Sequence, residues 1–138
     1  MRQTLKKYER LHGKKTIDRL FLQGNSFFSH PFIVYHKTVP STGHSPVCAV
    51  LFSVGRKKIP HAAQRNLLKR RMKEVFRKNK HLFYTFTTSQ QCSLHLGFIY
   101  VKTDILHYTA LEEKMMEAFK QILSGIETKK FSKDAKNI

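Results

Sequence analysis

The stretch RNLLKRRMKEVFRKNK, residues 65–80, decides how the rest of the chain is interpreted. Its residue types repeat with the period of an α-helix. One side of such a helix collects polar and cationic side chains, namely Arg65, Asn66, Lys69, Arg70, Lys73, Arg77 and Lys80. Another side collects apolar side chains at the spacing of a core-facing stripe, namely Leu68, Met72, Val75 and Phe76. The pattern predicts a helix that buries one face and offers the other to a polyanion.

The charge signs on this helix distinguish it from an ordinary solvated surface. Exposed helix faces usually mix acids and bases. Here Glu74 is the single acid among eight Lys and Arg residues between positions 65 and 80. A purely solvated face remains an alternative, but the imbalance favours a binding role.

The whole chain is also strongly basic. It has 138 residues, with 26 Lys and Arg against 9 Asp and Glu, which gives a formal net charge of +17. Nucleic acid is the natural partner for such a charge, because docked cations release counterions from phosphates. An anionic membrane is the weaker alternative, because no long apolar amphipathic segment is present and the cations lie beside polar residues. The longest apolar run, residues 47–52, is also too short to span a membrane. The two cysteines form no CxxC pair, and we expect a reduced, cytoplasmic protein.

Three segments carry the β-branched and aromatic residues typical of strands: 32–39, 47–54 and 94–101. The second segment is apolar on both faces, which favours a central position in a sheet. It follows the first after the polar loop 40–46, and this connection favours an antiparallel pair.

A first short helix is predicted over residues 16–24. Ile17, Leu20 and Phe21 would share one face, and Gly24 is expected to stop the helix in a left-handed conformation. Before it, residues 1–15 are predicted to form a basic extended arm.

The last helix is predicted to open with Thr109 and Glu112, which have the spacing of a capping box, and to end at Gly125. Residues 129–138 are predicted to be a disordered tail, and no element is assigned to the polar stretch 81–91. The element order therefore predicts one α+β domain over residues 1–128, a two-layer sandwich of helices on a mostly antiparallel sheet of about four strands.

These motifs resemble the bacterial ribonuclease P protein subunit family. The likeness rests on SVGRKK at 53–58, AAQRN at 62–66 and the basic pair that follows at 69–70. The opening residues 5–21 and the late helix at 108–123 match as well, so the resemblance spans about residues 5–125. It implies the protein subunit of a ribonucleoprotein endoribonuclease, in which a catalytic RNA uses Mg²⁺ to hydrolyse the 5′ leader from precursor tRNA. It also implies a left-handed βαβ crossover that contains the cationic helix.

The resemblance also assigns residues to sites. The implied RNA-binding helix and loop comprise Arg56, Lys57, Lys58, Arg65, Asn66, Lys69, Arg70, Lys73 and Arg77. The implied cleft for the single-stranded leader comprises Ile17, Phe21, Ile33, Tyr35 and Ser53. Aromatic rings such as Phe21 and Tyr35 suit that role because they stack on unpaired bases. Leu67 stands where the family usually has a further basic residue.

No catalytic or metal site of the protein itself is predicted. The nine acids are scattered, and the eight histidines lack ligand spacing. Mg²⁺ would serve the RNA-containing holoenzyme. The alternative is a non-catalytic basic nucleic-acid-binding protein of ribosomal or DNA-binding type. A helix-turn-helix would need a second helix just before residue 65, where Pro60 and the basic loop argue against one.

Overall fold

The structure, a computed structural model, describes residues 5–40 and 47–136, with side chains up to residue 125. A short 3-10 helix, Lys7–Glu9, comes first. The helices are α1 (Lys14–Gln23), α2 (Ala62–Asn79), α3 (His81–Gln90) and α4 (Tyr108–Lys136). The strands are β1 (Asn25–Ser29), β2 (Phe32–Pro40), β3 (Cys48–Val54) and β4 (Cys92–Tyr100).

The strands form one mixed sheet in the order β1-β2-β4-β3. β1 pairs with β2 and β2 with β4 in antiparallel fashion, whereas β3 and β4 are parallel. The mostly antiparallel α+β fold is confirmed. Two details of the prediction were wrong: β3 is an edge strand rather than a central one, and β4 separates it from β2. The loop 40–46 that suggested an antiparallel pair lies, except for Pro40, outside the described residues.

The apolar character of β3 on both faces has a different cause from a central position. One face of the strand packs into the main core, and the other packs beneath α1. The outer edge of β3 is partly covered as well, because the amide of Leu11 donates a hydrogen bond of 3.0 Å to the carbonyl of Val50. Coverage by other elements therefore accounts for a composition that usually marks an inner strand.

The main core lies between the sheet and α2, α3 and α4. Five buried rings, one from each of β3, α2, α3, β4 and α4, contact one another with centroids 5.1–6.4 Å apart: Phe52, Phe76, Phe83, Phe98 and Phe119. α1 lies on the opposite face of the sheet, where Leu20 is fully buried. α2 and α3 form the crossover between the parallel strands β3 and β4. The left hand of that crossover stays a prediction.

Three helix ends differ from their predicted form. α1 stops at Gly24, but this glycine is extended (φ −75°), and what requires glycine is space: a Cβ there would lie 2.3 Å from the carbonyl oxygen of Leu20. α4 begins at Tyr108, so Thr109 lies inside the helix and is not its cap. α4 also runs through Gly125 to Lys136 instead of ending at the glycine, and residues 129–136 of the predicted tail are helical backbone.

The N-terminal segment packs against the domain rather than extending from it. Leu11 is buried, and Lys14 and Lys15, placed in the predicted arm, already belong to α1. Residues 1–4 of that arm lie outside the described residues. The anchor is Glu9, which is 1% exposed.

The Glu9 carboxylate accepts three hydrogen bonds. The donors are the Lys6 amide at 2.8 Å, the Lys80 Nζ at 2.9 Å and the Tyr84 hydroxyl at 2.6 Å. Burial raises the pKa of Glu9, but the three donors outweigh it and hold that pKa below its usual value. Burial and the Glu9 carboxylate together raise the pKa of Tyr84. The N-terminal segment is thus tied to the junction of α2 and α3 by a buried ion pair.

Replacing Glu9 with Gln is expected to lower the free energy of unfolding by about 3 kcal/mol, because the Lys80 ammonium loses its buried partner. The Glu9 pKa is lower in the folded chain, so its contribution to stability is present above pH of about 4.5 and lost as pH falls further. Urea unfolding between pH 3 and 7 would measure both effects. Glu113→Gln removes an exposed acid and serves as the control. A Glu9→Gln variant with wild-type stability at pH 7 would contradict the role of this contact.

Candidate nucleic-acid interface

Helix α2 presents the two faces predicted from its sequence. Its buried residues are the four of the predicted apolar stripe: Leu68, Met72, Val75 and Phe76. The residues that precede it, 55–61, form a loop rather than a second helix, which excludes a helix-turn-helix arrangement at this place. Because α2 buries its apolar stripe, its polar side faces away from the core.

Several cations of α2 are held by groups within the chain, mostly toward its C-terminal end. Arg77 Nε donates to Glu74 at 2.9 Å, and Lys78 Nζ lies 3.2 Å from a carboxylate oxygen of Glu112 on α4. The Glu74 carboxylate raises the pKa of Arg77, and the Tyr108 hydroxyl together with Glu112 raises the pKa of Lys78. Lys80 is the partner of the buried Glu9. These three positions therefore have part of their charge neutralised, and the RNA contact predicted for Arg77 stays a prediction.

Two arginines bind backbone carbonyls instead of acids. Arg65 Nη1 donates to the carbonyl of Ile59 at 2.9 Å and to that of Pro60 at 2.7 Å. Arg71 Nη1 donates to the carbonyl of Leu106, ahead of α4, at 2.8 Å. The Arg65 contacts fix the loop 55–61 against the first turns of α2, so that loop and helix form one continuous surface.

The remaining cations of this surface have no partner among the described residues. This group, called here the open basic surface, consists of Arg56, Lys57, Lys58, Lys69, Arg70 and Lys73, with Asn66 beside them. Lys69 is half-buried and the other members are exposed. Leu67, which interrupts the basic pattern, is itself half-buried. The fold therefore keeps the predicted cations of the loop and of the N-terminal half of α2 available to a ligand.

The predicted cleft residues all lie on the face of the sheet that carries α1. The pairing of the strands arranges this face in rows that run across the sheet. The end row contains Phe28, Ile33, Ile99 and Ser53, and the middle row contains Ser26, Tyr35, Gly97 and Leu51. A third row contains Lys37, His95 and Ala49. Ile33, Tyr35 and Ser53 are thereby brought together, although they come from two strands that are not neighbours.

Helix α1 crosses the strands above the middle and third rows. Ile17 packs near β3 with Leu51, and at the other end Gln23 accepts a hydrogen bond of 2.7 Å from Lys37 on β2. Phe21 meets the Tyr35 ring edge-on, with centroids 4.7 Å apart. Both rings are half-buried, so Phe21 is neither a fully buried core residue nor a fully exposed one. The end row, whose residues are exposed or half-buried, lies beside the helix and is called here the trough.

Gly97 sets how closely α1 approaches the sheet. A Cβ at this position would lie 3.2 Å from a methyl group of Leu20 and 3.9 Å from the Phe21 ring. An added Cβ would require the Leu20 side chain to shift by a few tenths of an ångström. Gly97 is a site residue that sequence reasoning missed, together with Leu51, Ile99 and Lys37. Their alternation in the strands indicated a common face, but only the register shows which of them are neighbours.

The charge of this face is also positive. Burial and the nearby Lys37 lower the pKa of His95, which favours the neutral imidazole at pH 7. The strand positions of the three rows carry no carboxylate. A polyanion could therefore approach the trough without meeting a like charge from the sheet.

The described residues do not fit a metal site. Nowhere in residues 5–40 and 47–125 do three His, Cys, Asp or Glu side chains come together as potential ligands. No step of catalysis is therefore assigned to a protein-bound ion. Within the same part of the chain, no helix is long and apolar enough to cross a membrane.

Comparison with known proteins places this geometry in a family. The family model for ribonuclease P matches residues 5–123. The ribonuclease P protein component of Porphyromonas gingivalis is 27% identical over 122 residues, 88% of each chain, and that of Chlorobium phaeobacteroides is 39% identical over 84 residues, 59% of this chain and 58% of the relative. The solved ribonuclease P protein of Thermotoga maritima shares the fold, with a TM-score of 0.64, 24% identity, and coverage of 82% of this chain and 96% of that one. The chain therefore belongs to the ribonuclease P protein family and is the protein subunit of a ribonucleoprotein endoribonuclease that acts with an RNA subunit in tRNA processing.

Proposed function

We propose that the open basic surface of the loop 55–61 and α2 binds the catalytic RNA. The observation that carries this proposal is the contrast within one helix. The C-terminal cations Arg77, Lys78 and Lys80 are paired with acids, whereas the open basic surface has no partner among the described residues and Arg65 binds backbone carbonyls rather than an acid. Phosphates bind most favourably to unpaired cations on a fixed surface, because no internal ion pair has to be broken.

Arg65 has a positioning role in this proposal as well as a charge. Its two hydrogen bonds to the carbonyls of Ile59 and Pro60 hold the loop beside the helix. The three loop cations and the helix cations can then bind phosphates as one array. Loss of Arg65 would disturb the geometry of the loop and not only remove one contact.

We further propose that the trough beside α1 holds the single-stranded 5′ leader of precursor tRNA. The predicted residues Ile17, Phe21, Ile33, Tyr35 and Ser53 share this face. The half-buried rings of Phe21 and Tyr35 offer edges and faces to unpaired bases, and each stacked base contributes about 1–3 kcal/mol. Lys37 lies in the third row, two positions from Tyr35 on the same face, where its ammonium also donates to Gln23 of α1.

In this proposal the protein supplies binding and the RNA supplies the chemistry. Ribonuclease P enzymes in general depend on Mg²⁺. Since the described side chains offer no metal site, the ion would act in the RNA-containing holoenzyme. One RNA-binding domain over residues 1–128 and a cytoplasmic location, where tRNA precursors are processed, complete the proposal.

The protein alone is expected not to cleave precursor tRNA at any Mg²⁺ concentration. The catalytic RNA with the protein should cleave at lower Mg²⁺ than the RNA without it, because the protein raises affinity for the substrate. Single-turnover cleavage across a Mg²⁺ series measures both. Cleavage by the purified protein, abolished by a point substitution in the protein, would overturn the non-catalytic assignment.

Replacing Lys73 with Gln is expected to weaken binding to the catalytic RNA and to reduce the salt dependence. One lost phosphate contact lowers the slope of log affinity against log salt by about 0.7–0.9. The matched control is the double variant Glu74→Gln/Arg77→Gln, which removes the neighbouring ion pair without changing the net charge. Filter binding from 50 to 300 mM KCl measures both slopes. Equal slopes for wild type and Lys73→Gln would place this part of α2 outside the interface.

Replacing Tyr35 with Ala is expected to weaken holoenzyme binding of leader-containing precursor about fivefold or more, because one stacking surface is lost. Binding of mature tRNA should not change. Tyr35→Phe keeps the ring and should bind the precursor like wild type. Equal losses of affinity for precursor and mature tRNA would show that the leader does not bind to this face.

A further inference from the structure

An exposed aromatic ring extends the proposed leader trough to the outer strand of the sheet. Phe28 on β1 pairs with Ile33 on β2, which pairs with Ile99 on β4, which pairs with Ser53 on β3. The end row thus runs unbroken across all four strands. At the usual spacing between strands it is about 14 Å long.

Phe28 is unusual for a phenylalanine because 63% of its surface is exposed. Its neighbour Phe27 points to the other face and packs against the main core, so the strand already has an aromatic anchor. The Phe28 ring instead stands beside the His30 ring, edge to face, with centroids 6.3 Å apart. Phe28 on the outer strand and His30 in the turn that follows it give an exposed surface of two rings that core packing does not require.

The chemistry along the row favours a single-stranded nucleic acid over an apolar protein segment. The strand positions of this face carry no carboxylate, and Lys37 lies two positions from Tyr35 on the same face. At the opposite end of the row, Ser53 is followed within a few residues by the loop cations Arg56, Lys57 and Lys58. An occupant with flat apolar groups and a negative backbone matches both features.

We propose that Phe28, supported by His30, is an additional base-stacking platform, and that the 5′ leader crosses the strands along the end row to reach it. The inference rests on the proposed leader trough and adds to it a contact at the β1 edge. Tyr35 and Phe28 then bind different nucleotides of the leader.

A leader-length series tests this contact in the reconstituted holoenzyme. Phe28→Ala is expected to weaken binding of precursors with leaders long enough to reach β1, about fivefold or more, and to leave mature tRNA unaffected. Phe28→Trp should retain wild-type affinity, since it keeps a stacking ring. The matched control is Leu22→Ala, because Leu22 is 84% exposed but lies on α1, outside the row. It should change no affinity.

Abasic substitutions in the leader locate the base. In wild type, removing the base that stacks on Phe28 should weaken binding. In Phe28→Ala the same removal should have no further effect, and a double-mutant cycle isolates that coupling. Coupling of Tyr35 to a different leader position would be consistent with one strand crossing both rows.

The outcomes separate this inference from the function on which it rests. If Tyr35→Ala weakens leader binding while Phe28→Ala does not, the proposed stacking on Phe28 is wrong and the proposed leader binding in the trough is retained. If neither variant affects leader binding, the trough itself is wrong. A Phe28→Ala variant that binds RNA normally but converts a dimer to a monomer in sedimentation would assign the ring to self-association and overturn the proposal.

Discussion

The packing of α2 against the sheet is the constraint on which the rest of the molecule depends. Leu68, Met72, Val75 and Phe76 are fully buried, and side chains of this size stabilise the folded chain by about 8 kcal/mol together. Like charges one helical turn apart destabilise a helix by only about 0.2–0.5 kcal/mol per pair. Burial therefore outweighs the repulsion among the cations. The same packing fixes the side on which the cations lie, because burial of the apolar stripe prevents the helix from rotating about its axis.

The distribution of acids converts a uniformly basic helix into two regions. The acids come from elsewhere as well as from α2: Glu112 from α4 and Glu9 from the N-terminal segment. Cations at a helix C-terminus are already favoured by the macrodipole, whereas cations near the N-terminus oppose it. The first turn of α2 contains no acid, and Arg65 and Lys69 follow closely. Local stability would favour acids near the N-terminus of α2 and cations near its C-terminus. A departure from this preference is expected where a surface is kept for a ligand.

The sequence predicted those features that depend on periodicity within one element. The apolar stripe of α2 and its polar side follow from positions three and four apart. Helix α3 was missed because its buried side is carried mainly by Phe83 and Thr87 in a segment of Thr, Ser and Gln. Such a stripe is too narrow and too polar to separate a helix from a loop.

Contacts between distant segments could not be predicted in the same way. Alternation in a strand defines its two faces, but it does not define which strand lies beside it. β4 was therefore not expected between β2 and β3. The ion pair of Glu9 with Lys80 joins residues 71 positions apart, so no spacing rule could indicate that Lys80 is paired while Lys73 is not. The cleft residues were assigned by resemblance, and the register explains why those residues share a face.

The shape of the trough follows from a residue that carries no side chain. Gly97 lets Leu20 and Phe21 come close to the centre of the sheet, and this keeps α1 over the middle row. The end row is then left beside the helix rather than under it, with Tyr35 half-exposed at the boundary. A side chain in place of Gly97 would press on Leu20 and Phe21 without removing any group that could bind a base. In the proposed function, binding of a single strand by this face therefore depends on the separation of helix and sheet as well as on the rings.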